Sequence, residues 1–127
     1  MAKAKILIVE DEAIIAYDTK IKLEMEGYEV VDIVNTGQEA IICTEIHKPD
    51  LVLMDVVLNG DMNGIEAAEK ISAGNNIPIL FLSAHSENDL LRQIETSDLY
   101  NYLIKPVTGE ELFQAVYKSL SISNGQK

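Results

Sequence analysis

The chain has 127 residues, 47% of them hydrophobic, with a single cysteine, which fits one globular domain able to bury a core without disulfide staples. No apolar run approaches membrane-spanning length, so no membrane insertion is expected. Twenty-one acidic against ten basic residues give a formal charge of −11, a surface that repels nucleic acid and anionic membrane and suits a bound cation or a basic partner.

The start, Met1 to Lys5, leads straight into a strand-like run with no apolar leader or cleavage site, so no signal peptide is expected. The lone Cys43, flanked by Ile41 and Ile42, reads as a buried, inert thiol in a reducing cytoplasm. Lys5 to Val9 is an apolar strand that ends in Glu10-Asp11-Glu12. A helix follows from about Glu12 to Glu26, stopped by Gly27. Ile14, Tyr17, Ile21 and Met25 share one stripe of it, with Ile15 and Leu23 off that stripe. Tyr28 to Val34 carries Glu29 and Asp32 among aliphatics and reads as an edge strand. Thr36 and Glu39 form a capping-box pattern for a helix to about His47, ended by Lys48-Pro49-Asp50.

Leu51-Val52-Leu53-Met54-Asp55 is the most informative stretch. Four apolar residues between turn signals predict a strand buried on both faces, with Asp55 at its C-terminal end. Open parallel sheets place ligands at that end. Asn63 to Glu66 is a second capping box, opening a helix to about Ser72. Ile77 to Leu82 is the fourth strand, ending in Ser83-Ala84-His85, and Ser86 caps a helix to about Glu95. Tyr100 to Ile104 is the fifth strand, ending in Lys105-Pro106. Thr108 to Glu111 is a third capping box, for a helix to about Leu120 with a Leu112-Val116-Leu120 stripe beside Phe113 and Tyr117. The domain is expected over 1–122, with 123–127 a polar tail.

Five strand–helix alternations imply an α/β fold, a parallel sheet with helices on both faces. Three strands read as centrally buried and one as an edge, which agrees with the five-stranded order 2-1-3-4-5. Glu10 and Asp11, Asp55, Ser83 and Lys105 then converge on one sheet edge. Three converging carboxylates repel, by about 4 kcal/mol per pair at ~4 Å and an effective dielectric of ~20. Oxygen-only donors call for a hard divalent ion, most simply Mg²⁺. Such an ion beside a carboxylate, a hydroxyl and an ammonium is a phosphoryl-transfer constellation.

These residues, in this order at successive strand ends, resemble the receiver domain of two-component response regulators. The resemblance implies a flavodoxin-like three-layer sandwich in which Asp55 accepts a phosphoryl group from a phosphohistidine of a sensor histidine kinase or phosphotransfer protein. It implies Mg²⁺ on Asp11, Asp55 and the Val57 carbonyl, with Glu10 holding the metal through water. Ser83 would bond one phosphoryl oxygen and Lys105 another, and the bond to Pro106 would be cis. Tyr102 would be the switch aromatic, altering the face of the fourth helix, fifth strand and last helix toward an unidentified downstream protein. His85 would tune the lifetime of the phosphoryl group.

Glu10 stands where this family most often has Asp, and the loop from Val56 to Gly64 lacks the usual Met-Pro and is one residue longer. The chain is thus expected to be a cytoplasmic signalling switch, not an enzyme in the ordinary sense, with intrinsic autophosphorylation and autodephosphorylation. Dimerisation through the last-helix face is left open. The other readings are an aspartyl-nucleophile phosphohydrolase, which would need an acid where Val57 stands, and a pseudo-receiver that only binds partners. His47 reads as an exposed cation at a helix C-terminus, and Asp61 as a turn residue.

Overall fold

A computed structural model describes residues 3–84, 92 and 99–125. The strands are β1 (Lys5–Val9), β2 (Glu29–Val34), β3 (Leu51–Asp55), β4 (Ile79–Ser83) and β5 (Tyr100–Ile104). The described helices are α1 (Ala13–Met25), α2 (Gly37–His47), α3 (Gly64–Gly74) and α4 (Gly109–Gly125). All strand pairs are parallel, and the sheet order is β2-β1-β3-β4-β5. The helix expected from Ser86 to about Glu95, and His85 before it, lie outside the described residues.

β3 and β4 are buried at every position, and β1 at all but Lys5. Alternate residues serve opposite faces. Leu7, Val9, Val52, Met54 and Phe81 pack with α2 and α3 residues such as Ala40, Ile65 and Ile71. Ile6, Ile8, Leu51, Leu53 and Leu80 pack with Ala16 and Leu23 of α1 and with Leu112, Val116 and Leu120 of α4. Helices on both faces are what make a continuous apolar run the right strand pattern here. β2 is an edge strand with no buried residue.

The three capping-box patterns form hydrogen bonds. Thr36 Oγ1 accepts from Glu39 N, and Asn63 and Glu66 cap one another reciprocally. Thr108 and Glu111 do the same, at 3.0 and 3.1 Å. Strand β4 begins two residues later than expected and includes Ser83, because Pro78 has no N–H to contribute and only its carbonyl is used, accepting from Val52 N.

Three expectations need correction. Cys43 is half-buried rather than buried, because its thiol faces Asp32 at the sheet edge. Helix α4 continues to Gly125 instead of ending near Leu120; between them stand Ser121, Ile122, Ser123 and Asn124, and no glycine or proline interrupts the helix before Gly125. The apolar stripe of α1 does not face the core. Ile14, Tyr17, Ile21 and Met25 are 55% to 86% exposed, and Ala16 and Leu23 are the buried residues. Small Ala16 lets the helix approach the sheet, and Leu23 fills the space at its far end, so the bulkier side chains are left outside.

Candidate functional site

Parallel β1, β3 and β4 end at the same edge of the sheet, and each delivers one polar group there. Glu10 follows β1, Asp55 closes β3 and Ser83 closes β4. Glu10 and Asp55 are only 4% and 5% exposed, and Ser83 is wholly buried. Lys105 follows β5, where its N–H donates to the Ser83 carbonyl at 2.8 Å and extends the ladder by one residue. The Lys105–Pro106 peptide bond is cis.

The side chains meet. Lys105 Nζ lies 3.1 Å from Asp55 Oδ1 and 3.5 Å from Glu10 Oε1. Glu10 is held at both ends: its backbone N–H donates to Val34 O at 2.9 Å, and its Oε2 accepts from Glu12 N at 3.1 Å. Glu10, Asp11 and Asp55 each place a carboxylate oxygen within 4.8 Å of the others. Asp11 is the most accessible of the three. Ser83 Oγ donates to the Ala84 carbonyl at 3.1 Å. Val57 follows the site with its side chain turned outward, between buried Val56 and Leu58, and Tyr102 on β5 is 52% exposed.

Among the described residues, one ammonium against three carboxylates leaves the cluster net negative. Burial first, and the Glu10 charge second, push Asp55 up to about 7, and Lys105 offsets this only in part. Burial works to lower Lys105, but Asp55 and Glu10 outweigh it and hold the ammonium above its ordinary value. Oxygen-only donors around a charge deficit fit a hard divalent cation. The Asp32, Cys43 and His47 group is the other described cluster of three.

Two contributors were not singled out from the sequence. Gly64 packs its backbone against β3: a Cβ there would run into the Asp55 carbonyl and lie 2.9 Å from Met54 Cγ. Its N–H donates to the Val56 carbonyl at 2.7 Å, tying the start of α3 to the end of the Asp55 strand. The sequence signal was a glycine directly after the Asn63 cap. The second is a cleft of about 380 Å³ bounded by Ile15, Asp18, Lys22, Lys105 and Val107, beside the exposed α1 stripe.

Comparison with known proteins gives a consistent result. The family model described as the response regulator receiver domain matches residues 6–117. The chain is 40% identical over 117 residues to the transcriptional regulatory protein PdtaR of Mycobacterium tuberculosis, covering 92% of this chain and 57% of that one. It is 37% identical to the phosphate regulon transcriptional regulatory protein PhoB of Pseudomonas aeruginosa, covering 88% of this chain and 49% of that one. The chain therefore spans about half the length of the curated relatives it matches. The receiver domain of a modulated diguanylate cyclase from Desulfovibrio desulfuricans superposes with a TM-score of 0.90 at 29% identity, covering 99% of this chain and 100% of that one. The PhyR receiver domain of Erythrobacter litoralis gives 0.85 at 26% identity, covering 98% and 95%.

Proposed function

The chain belongs to the response-regulator receiver family, and from that premise we propose that Asp55 is a phosphoacceptor whose modification switches an interaction surface. The observation that carries this reading is the buried Asp55 carboxylate, 3.1 Å from Lys105 Nζ and clustered with Glu10 and Asp11. The residues fit a divalent cation: Asp11 and Asp55 would hold Mg²⁺ with the Val57 carbonyl, and Glu10 through water. Bound there, the ion would neutralise charge on the phosphoryl oxygens and lower the proton affinity of Asp55.

An ionised Asp55 oxygen attacks the phosphorus of a phosphohistidine; the new O–P bond forms as the N–P bond breaks, and that electron pair stays on the leaving imidazole. Lys105 then pairs with a phosphoryl oxygen in place of the Asp55 carboxylate it touches now. Ser83 sits at the neighbouring strand end, and its hydroxyl turns from the Ala84 carbonyl to another phosphoryl oxygen. Tyr102, outward in this structure, moves inward behind it and changes the β5 face read by a downstream protein. The donor is a sensor histidine kinase or phosphotransfer protein. The exposed Ile14, Tyr17, Ile21 and Met25 stripe on α1, a helix that starts two residues after Asp11, offers it an apolar landing surface. A hydrolase reading lacks its second acid, since Val57 stands two residues past Asp55.

Intact-protein mass after incubation with acetyl phosphate and Mg²⁺ tests this. One phosphoryl adduct is expected, absent with chelator and absent from Asp55→Asn. No adduct, together with no Mg²⁺ binding and no response to beryllofluoride, would contradict it and leave a module that only binds partners.

A further inference from the structure

On the opposite side of β1 from the Asp55 strand, edge strand β2 and helix α2 bring together Asp32, Cys43 and His47. Each offers one ligand atom, and these atoms lie within 4.8 Å of one another. We propose that this trio is a second metal site, taking a borderline divalent transition ion of the Zn²⁺ class and leaving one coordination position open.

The arrangement has three causes. Cys43 and His47 are four residues apart on α2, so they share a helix face. The helix ends at His47, where Lys48 adopts a left-handed conformation, φ 47°, and turns the chain away. The third cause lies in β2. Its register against β1 slips by one residue: Ile6 pairs with Val30, but Leu7 pairs with Asp32. Val31 packs with the α2-side core, so strict alternation would send Asp32 to the α1 side. The slip re-aims it toward α2, where Oδ2 lies 3.4 Å from Cys43 Sγ. Its other oxygen accepts from Ile33 N at 2.8 Å, which fixes the carboxylate plane as supporting contacts do in metal sites.

The donor chemistry selects the ion. Sulfur, imidazole and carboxylate suit Zn²⁺ and disfavour Mg²⁺ or Ca²⁺. Tetrahedral Zn²⁺ with these donors needs ligand atoms about 3.5 Å apart, a separation the sulfur–oxygen pair already has. The alternative of a reactive thiol is weaker. Burial, then the hydrogen bond to Asp32, push Cys43 up to about 11, so without a cation it is a protonated thiol and a poor nucleophile. On binding, the Zn–S bond forms as the thiol proton passes to buffer, with no change of oxidation state.

The test is a Co²⁺ titration of the purified protein followed by Zn²⁺ competition. A thiolate-to-cobalt charge-transfer band is expected, displaced by one equivalent of Zn²⁺. The band separates this site from the all-oxygen cluster at Asp55, which has no sulfur, and it persists in Asp55→Asn. Cys43→Ser abolishes it, and Asp32→Asn and His47→Ala each weaken Zn²⁺ binding by at least about tenfold. No band would overturn the proposal. So would a band that survives Asp32→Asn and His47→Ala at unchanged affinity, since the thiol would then bind alone.

Discussion

Glu10, Asp11 and Asp55 at the centre of the sheet, and Asp32, Cys43 and His47 at its edge, each gather three ligand atoms within 4.8 Å. Their surroundings differ in every respect that matters to chemistry. The central group sits on strand ends that adjacent strands hold in register, two of its carboxylates are buried, and Lys105 balances part of its charge. The edge group depends on one helix face and one register slip, and two of its three members are exposed. Central burial raises the proton affinity of a carboxylate and makes it responsive to a cation. The edge offers accessible donors of mixed softness. On the two proposals, clusters of similar spacing would thereby take different ions.

The sharpest way to break this contrast is to remove one carboxylate. Asp55→Asn keeps the shape of the central site but loses the nucleophile, and phosphoryl incorporation falls below detection by intact mass. The edge site keeps its Co²⁺ band in the same variant.

The next test addresses the claim that the central site rests on backbone. Gly64→Ala drives a Cβ into the Asp55 carbonyl and is expected to cost about 1–3 kcal/mol in denaturant unfolding. Gly74→Ala, with no atom of the described residues within 4 Å of its added Cβ, is expected to be neutral or stabilising by under about 1 kcal/mol. Equal effects at the two positions would refute the packing account.

A third prediction concerns pH. Asp55 is raised to about 7 from 3.8, so between those values the folded, metal-free protein binds more protons than the unfolded chain. Stability is then greatest at the acid end of that window and declines as pH rises through it. Unfolding free energy is expected to be lower at pH 8 than at pH 5 by on the order of 2 kcal/mol. Asp55→Asn flattens that slope, and Mg²⁺ at pH 8 restores stability by binding the ionised cluster. An unchanged slope in Asp55→Asn would show that the charge strain lies elsewhere.

The smallest effect belongs to the edge. In metal-free protein Cys43→Ser loses a half-exposed contact with Asp32 and is expected to cost under about 1 kcal/mol, with the pH slope intact.

These regions were unequally legible in the sequence. Leu51 to Asp55 and Lys5 to Glu10 could be read because helices cover both faces of the sheet, so burial appears as an unbroken apolar run ending in acid. The Thr36, Asn63 and Thr108 caps could be read because a side chain bonding its own helix start is local chemistry. Helix α1 could not. Its inner contacts come from Ala16 and Leu23, while its largest apolar residues face outward, so its imperfect apolar spacing does not reveal the buried face. The edge cluster was hidden as well, since Asp32 reaches Cys43 only through the slip in β2, which depends on pairing with β1. Gly64 likewise gave only a cap-adjacent glycine; the approach of the Asp55 carbonyl is tertiary.

Whether Asp55 itself carries the phosphoryl group is read by treating the protein with acetyl phosphate and Mg²⁺, reducing it with borohydride and mapping peptides by mass spectrometry. Reduction converts an aspartyl phosphate to homoserine, and the account predicts that conversion at Asp55 alone, dependent on Mg²⁺. Homoserine at another aspartate, or none while the intact protein carries a phosphoryl adduct, would contradict it.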